Sequence, residues 1–146
     1  MGGHLEVVNH VLELQVDASA QTKDGLQSIH IAALGGNLEV VNRLLELQVD
    51  ASARTKDGSQ PIHTAAWGGH LEVVNRLLEV QVDASAQTNM GWQPIHLAAR
   101  GGHLEVVNRL LELQVDPSAQ IKNCWQSIHA AAEGGHLGVI NRLLEQ

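Results

Sequence analysis

The chain has 146 residues, room for one ordinary domain, and its 44% apolar and 17% charged residues exclude a disordered polymer. Sixteen acids against nine Lys and Arg give a formal charge of −7, which argues against nucleic acid or an anionic membrane surface as the partner. A single Cys excludes an internal disulfide and a thiolate zinc site, and no apolar run approaches the roughly 20 residues of a membrane span. Three Trp with no Phe or Tyr mean that the interior must be built from Leu, Val, Ile and Ala. The opening residues Met1–Glu6 show no basic stretch leading into an apolar one, so the expected location is a reducing cytosol or nucleus.

Repetition organises everything that follows. Gly-His-Leu-Glu-Val-Val begins at Gly3, Gly69 and Gly102; Gly36 opens the same string with Asn37 in place of His, and Gly135 a looser copy, Gly-His-Leu-Gly-Val-Ile. Ile-His recurs at Ile29, Ile62, Ile95 and Ile128, and the step is 33 residues throughout. The chain divides into a partial unit at 1–22 and further units at 23–55, 56–88, 89–121 and 122–146, all in one domain. In the partial unit, Leu5, Val8, Val11 and Leu12 form an apolar helical stripe. The unit at 56–88 stands for the rest. Lys56-Asp57-Gly58-Ser59 predicts a turn, and Gln60–Trp67 a short helix with Pro61 in its first turn. Gly68-Gly69 breaks it, and Leu71–Glu79 is a second helix with Leu71, Val74, Leu77 and Leu78 on one side. Glu72/Arg76, Glu39/Arg43 and Glu105/Arg109 are spaced i, i+4 and are expected to pair on its wet face. Val82-Asp83-Ala84-Ser85-Ala86 leads into the next unit. Two such short helices cannot bury their apolar faces alone, so neighbours must stack. The Ala pairs Ala32-Ala33, Ala65-Ala66, Ala98-Ala99 and Ala131-Ala132 let the short helices lie close on the inner side, with the Leu/Val helices outside.

The 33-residue period, the Asp-Gly turn, the Pro-Ile-His-x-Ala-Ala helix, the Gly-His-Leu-Glu-Val-Val helix and the Val-Asp loop together resemble the ankyrin repeat, over essentially the whole chain. The resemblance implies an all-α ankyrin-repeat solenoid of stacked helix-turn-helix units with β-turn fingers, and a concave face that binds other proteins without catalysis. Three departures carry expectations. Gln27, Gln60, Gln93 and Gln126 stand where the family has a capping Thr. Gln15, Gln48, Gln81 and Gln114 stand where it has the Gly that closes the second helix, so these residues must be strained or the chain rerouted. Cys124 replaces the turn Gly of the other units.

The copies differ in few columns: Leu26, Ser59, Trp92 and Trp125 after the turn; Leu34, Trp67, Arg100 and Glu133 ending the short helix; Ile31, Thr64, Leu97 and Ala130 within it; and the turn tips, with Met90. A packing column stays uniform, because every unit meets the same neighbour, so these columns are expected to lie outside the packing. The resemblance places them on the fingers and inner helix face. The candidate partner-binding surface is therefore centred on Trp67, Trp92, Arg100 and Trp125, with Leu26, Leu34, Ser59, Met90 and Glu133 flanking it. The competing reading lays the Trp rings over the turns as packing.

Eight of the nine His fall in two columns, one per unit along the stack: His30, His63, His96 and His129, and His4, His70, His103 and His136, with His10 the ninth. That spread suits backbone hydrogen bonding, not the converging ligands of a metal site. No nucleophile constellation or phosphate motif is present, and no cofactor is expected. Leu137, Ile140, Leu143 and Leu144 close the chain with the standard stripe, so both ends look unspecialised: an excerpt of a longer array, or ends that dock on other copies. The function read from the sequence is protein recognition. The near-identical framework leaves an idealised or engineered scaffold, or a self-associating fragment, as the alternative.

Overall fold

The structure, a computed structural model, describes residues 17–145. Expectations placed on Met1–Val16, including the first apolar stripe, His4, His10 and Gln15, lie outside the described residues. Among the described residues eight α-helices follow in four pairs: α1 (Ser28–Gly35) and α2 (Leu38–Glu46), α3 (Pro61–Gly68) and α4 (Leu71–Glu79), α5 (Pro94–Gly101) and α6 (Leu104–Glu112), α7 (Ser127–Gly134) and α8 (Leu137–Leu144). Among the described residues the extended pairing is a single bridge, Ile121 with Trp125. This is the all-α repeat solenoid that the periodicity predicts. The odd-numbered inner helices make most of the contact between units, and the even-numbered outer helices less. Ala at the inner contacts is the reason: Ala33, Ala65, Ala66, Ala98, Ala99 and Ala131 are fully buried, and their small side chains let the inner helices lie close.

Each inner helix starts one residue later than the pattern suggests, because Gln27, Gln60, Gln93 and Gln126 stay extended and act as caps. Their backbone N–H donates to Nδ1 of the histidine three residues on, at 3.0, 2.9, 3.0 and 2.9 Å. The Gln side chain faces the third N–H of the helix as in a capping box, but Oε1 of Gln27, Gln60 and Gln93 is buried and makes no hydrogen bond. Half of the cap is therefore unmade, as expected where Gln replaces a hydroxyl. The first glycine of each pair stays helical and the second leaves it: Gly69 takes φ 75°, and the N–H groups of Gly69 and His70 return to Ala66 O and Ala65 O.

The outer helices share the sequence Leu-Glu-Val-Val-Asn-Arg-Leu-Leu-Glu in the first three pairs and bury Val73, Val74 and Leu77 or their equivalents. The buried stripe is rotated toward Val73, leaving Leu71 and Leu78 half-buried. The i, i+4 pairs expected at Glu72/Arg76 and Glu105/Arg109 do not form. Arg76 Nε donates instead to Asn42 of the preceding unit at 2.7 Å while its Nη1 meets Glu79 at 3.2 Å; Arg109 does the same with Asn75 and Glu112, and Arg142 Nε reaches Asn108. The neighbouring unit supplies an acceptor that an isolated helix lacks, and it turns the guanidinium away from the earlier Glu. The helices then close through Gln48, Gln81 and Gln114 at φ 64°, 68° and 64°. The chain is not rerouted; it accepts the left-handed conformation with a side chain attached.

Histidine joins the parts. Because Nδ1 of His30, His63 and His96 accepts an N–H, the ring proton sits on Nε2, which donates to Ala53 O, Ala86 O and Ala119 O at 2.8 Å in each case. The closing loop of each unit is thus tied to the start of its inner helix. Burial holds the basicity of His63 and His96 below the ordinary value of 6.5, against the opposing pull of the carbonyls. A second proton would land on Nδ1 and face the Gln N–H.

Two predictions follow from these contacts. His63 and His96 bind protons more readily unfolded than folded, so stability rises with pH through the interval below 6.5 and is complete above it. Each such proton is worth up to about 1.4 kcal/mol per pH unit. The melting temperature should fall by several degrees from pH 7.5 to 5.5, and a flat profile would remove this role. Gln81→Gly relieves the left-handed cost, about 1 kcal/mol, and should raise the urea midpoint by that equivalent.

Candidate functional site

The fingers grow from the Thr-x-x-Gly turns. In the second finger, Thr55 N–H donates to Ser59 O and Gly58 N–H to Thr55 O, both at 2.9 Å, with Gly58 at φ 85°. Fingers are laced to each other by backbone: Lys56 N–H donates to Asp24 O and Asn89 N–H to Asp57 O, at 2.9 Å each. Arg54 Nη1 adds bonds to Gly58 O and, across to the next finger, to Gln87 O. The fourth finger is built differently. Without a glycine, Asn123 and Cys124 both take positive φ, 65° and 61°, in a 3₁₀ turn at Lys122–Cys124, and the lacing bond to Met90 is not made.

On this frame the variable columns meet. Trp67, Arg100 and Glu133 end successive inner helices. The Arg100 guanidinium lies 5.7 Å from the centre of the Trp67 ring and 5.8 Å from that of Trp92, and its Nη2 is 3.3 Å from a Glu133 oxygen. One cation thus joins three units and two columns, with cation–π contact to two indoles. The backbones behind the indoles are pinned by imidazoles: His103 Nε2 donates to Trp67 O at 2.9 Å, and His63 Nε2 to Trp92 O at 3.1 Å. Trp67 is 43% exposed, Leu34 46% and Met90 53%. Beside them, Ser59 is small where the next two units carry indoles, and the space it leaves is a notch of about 400 Å³ between Asp24, Leu26, Lys56, Asp57 and Thr64. The Thr55 hydroxyl, against the opposing effect of burial and with lesser help from Ser59, holds Asp57 below the usual carboxylate range, so the notch keeps an anion at its rim.

Not every candidate shares this exposure. Trp92 and Trp125 are half-buried against the core. The Trp92 ring lies edge-on to His96 at 6.0 Å, and Trp125 is tilted over His129 at 5.5 Å with its Nε1 buried and unpartnered. Packing therefore claims part of both rings. The column Ile31, Thr64, Leu97, Ala130 also divides, contrary to the expectation that variable columns avoid packing: Ile31 is 58% exposed, while Ala130 is fully buried. Thr64 spends its hydroxyl on His30 O and Pro61 O. Pattern comparison put Asp24 and Asp57 in the variable turn tips but left them out of the candidate surface.

Among the described residues no three His, Cys, Asp or Glu converge as a metal site would require, and no helix is long and apolar enough to cross a membrane. The split in exposure predicts a split in stability. Trp92→Ala and Trp125→Ala should each cost on the order of 2 kcal/mol in urea denaturation, and Trp67→Ala no more than about 0.5.

Sequence profiles agree with this architecture. A profile of ankyrin repeats in three copies matches residues 1–89, and one of ankyrin repeats in many copies matches 68–111 and 95–144. No curated protein matches the chain. With matching units from one end of the described stack to the other, the chain belongs to the ankyrin-repeat family.

Proposed function

We propose that this protein is a non-catalytic recognition module whose partner-binding surface runs along the fingers and inner helix ends, from Leu26 and Leu34 through Ser59, Trp67, Met90, Trp92 and Arg100 to Trp125 and Glu133. Ankyrin repeats are in general protein–protein interaction modules. The observation that carries the reading here is the Trp67–Arg100–Trp92 stack. It gathers the residue types that dominate interface energetics, on backbones already held by hydrogen bonds. An indole at 43% exposure still has apolar area to bury. A partner side chain entering the notch at Ser59 would meet Leu26 and a fixed carboxylate.

Trp67→Ala is the test, because it removes surface without removing core. In a crosslinking pull-down read by mass spectrometry, a partner held by the wild-type chain should be lost. With that partner purified, affinity should fall about 30-fold, the equivalent of about 2 kcal/mol. The melting temperature should shift by no more than about 2 °C. Retained binding by both Trp67→Ala and Arg100→Ala would place the surface elsewhere.

A further inference from the structure

Charge is not spread evenly over this acidic chain. Residues 17–145 hold fourteen of its sixteen carboxylates and all nine Lys and Arg. On the outer helices and the loops that close the units, eleven carboxylates stand against four guanidiniums. Those four, Arg43, Arg76, Arg109 and Arg142, each meet a Glu three residues on, at 3.2, 3.2, 3.3 and 4.0 Å. The fingers and inner helix ends reverse the balance. They carry the other five cations, Lys23, Arg54, Lys56, Arg100 and Lys122, against three carboxylates. Two of the three are engaged: Asp57 accepts from the Thr55 hydroxyl and the Ser59 N–H, and Glu133 meets Arg100. Lys23, Lys56 and Lys122 are exposed at the turn tips and pair with no described carboxylate. Arg54 and Arg100 are held in place, one by the carbonyls of Gly58 and Gln87, the other by the Trp67 and Trp92 rings. Among the described residues Arg100 makes its hydrogen bond from Nη2 and leaves the other N–H groups of the fork unclaimed.

We infer that the partner of the surface proposed above is an acidic, amphipathic protein segment; the inference rests on that reading of the surface. Charge complementarity selects the class. The finger face is the positive side of a chain with a net charge of −7, so it draws an acidic segment in while the outer face turns the same segment away. The partner's carboxylates lie against Lys23, Lys56, Lys122 and the unclaimed N–H groups of Arg100, a guanidinium already held in one place. Its apolar side chains cover Ile31, Leu34, Trp67 and Met90, which are from 43% to 58% exposed. The lysine row is interrupted at the third finger, where Asn89 and Met90 stand, so an apolar residue of the partner belongs between its acids there. The notch at Ser59 is lined by Asp24 and Asp57; it repels a carboxylate and takes an uncharged residue. Nucleic acid shares the negative charge, but five cations interrupted by three carboxylates do not form the continuous positive track that a phosphate backbone needs.

Selection of random dodecapeptides displayed on phage, against the immobilised 146-residue chain, tests this. Enriched peptides should hold an excess of Asp and Glu over Lys and Arg, with apolar residues among them. Synthesised with a fluorescent label, they should bind by anisotropy and lose affinity several-fold between about 50 and about 500 mM salt. Lys56→Glu combined with Lys122→Glu alters two exposed side chains at the turn tips, with circular dichroism to check the fold. It should weaken the peptides about tenfold. Glu105→Lys, an equal change in charge on the outer face, should alter affinity less than about twofold. Trp67→Ala separates the inference from the surface on which it rests. Peptides weakened by W67A but indifferent to the lysine reversals keep the surface and overturn the acidic partner. Peptides weakened by the reversals but not by W67A support the acidic partner and move its anchor away from Trp67. No enrichment, enrichment without an acidic excess, affinity indifferent to salt, or tighter binding of a single-stranded oligonucleotide of equal length each overturns the inference.

Discussion

One imidazole in one protonation state underlies the stack. His30, His63 and His96 accept an N–H at Nδ1 and donate from Nε2, and only the neutral ring does both. The ring satisfies a helix N-terminus that Gln caps poorly and a loop carbonyl that would otherwise be buried unpaired. All three rings are fully buried, and an unmade hydrogen bond there is expensive. The fold accepts three partnerless Gln Oε1 atoms nearby because the histidine carries the essential bonds.

The second histidine column works with the glycine pairs in the other direction. It reaches back to the preceding unit and seats on a glycine there, so each junction is a contact of ring on backbone rather than of side chain on side chain. This divides the molecule's tasks. The Gly, His and Ala columns and the outer-helix stripe hold the units together, and their uniformity follows from each unit meeting an identical neighbour. The ends of the inner helices and the fingers carry no such duty beyond their backbone. They are free to hold Leu34, Trp67, Arg100 and Glu133 in four successive units, and the pinned carbonyls of Trp67 and Trp92 keep those side chains in place at no further conformational cost.

Where reading by pattern and the structure part company, the cause is a neighbour. An i, i+4 pair is a sound expectation for a lone helix, but Asn42 and Asn75 draw Arg76 and Arg109 across the junction. Periodicity points to the correct helix and misplaces its buried stripe by one residue, because the outer helix touches an inner helix on one side and two outer helices on others. Variation among copies marks a region that is only partly open. Trp92 and Trp125 lie in variable columns and still pack, since an indole after the turn is large enough to serve the core and the surface together.

The amino-acid sequence alone determined the period, the two helices per unit, the glycine breaks and the all-α solenoid, because these depend on local spacing repeated four times. It also named the columns from which the candidate surface is drawn. Only the tertiary structure decided which members of those columns meet. Arg100 joins Trp67 and Trp92 because residues 33 apart become neighbours when units stack, and a carboxylate, an indole and a guanidinium from three units converge there. Sequence spacing records that these residues are equivalent; the distance and angle between them come from the packing of Ala on Ala and His on Gly beneath.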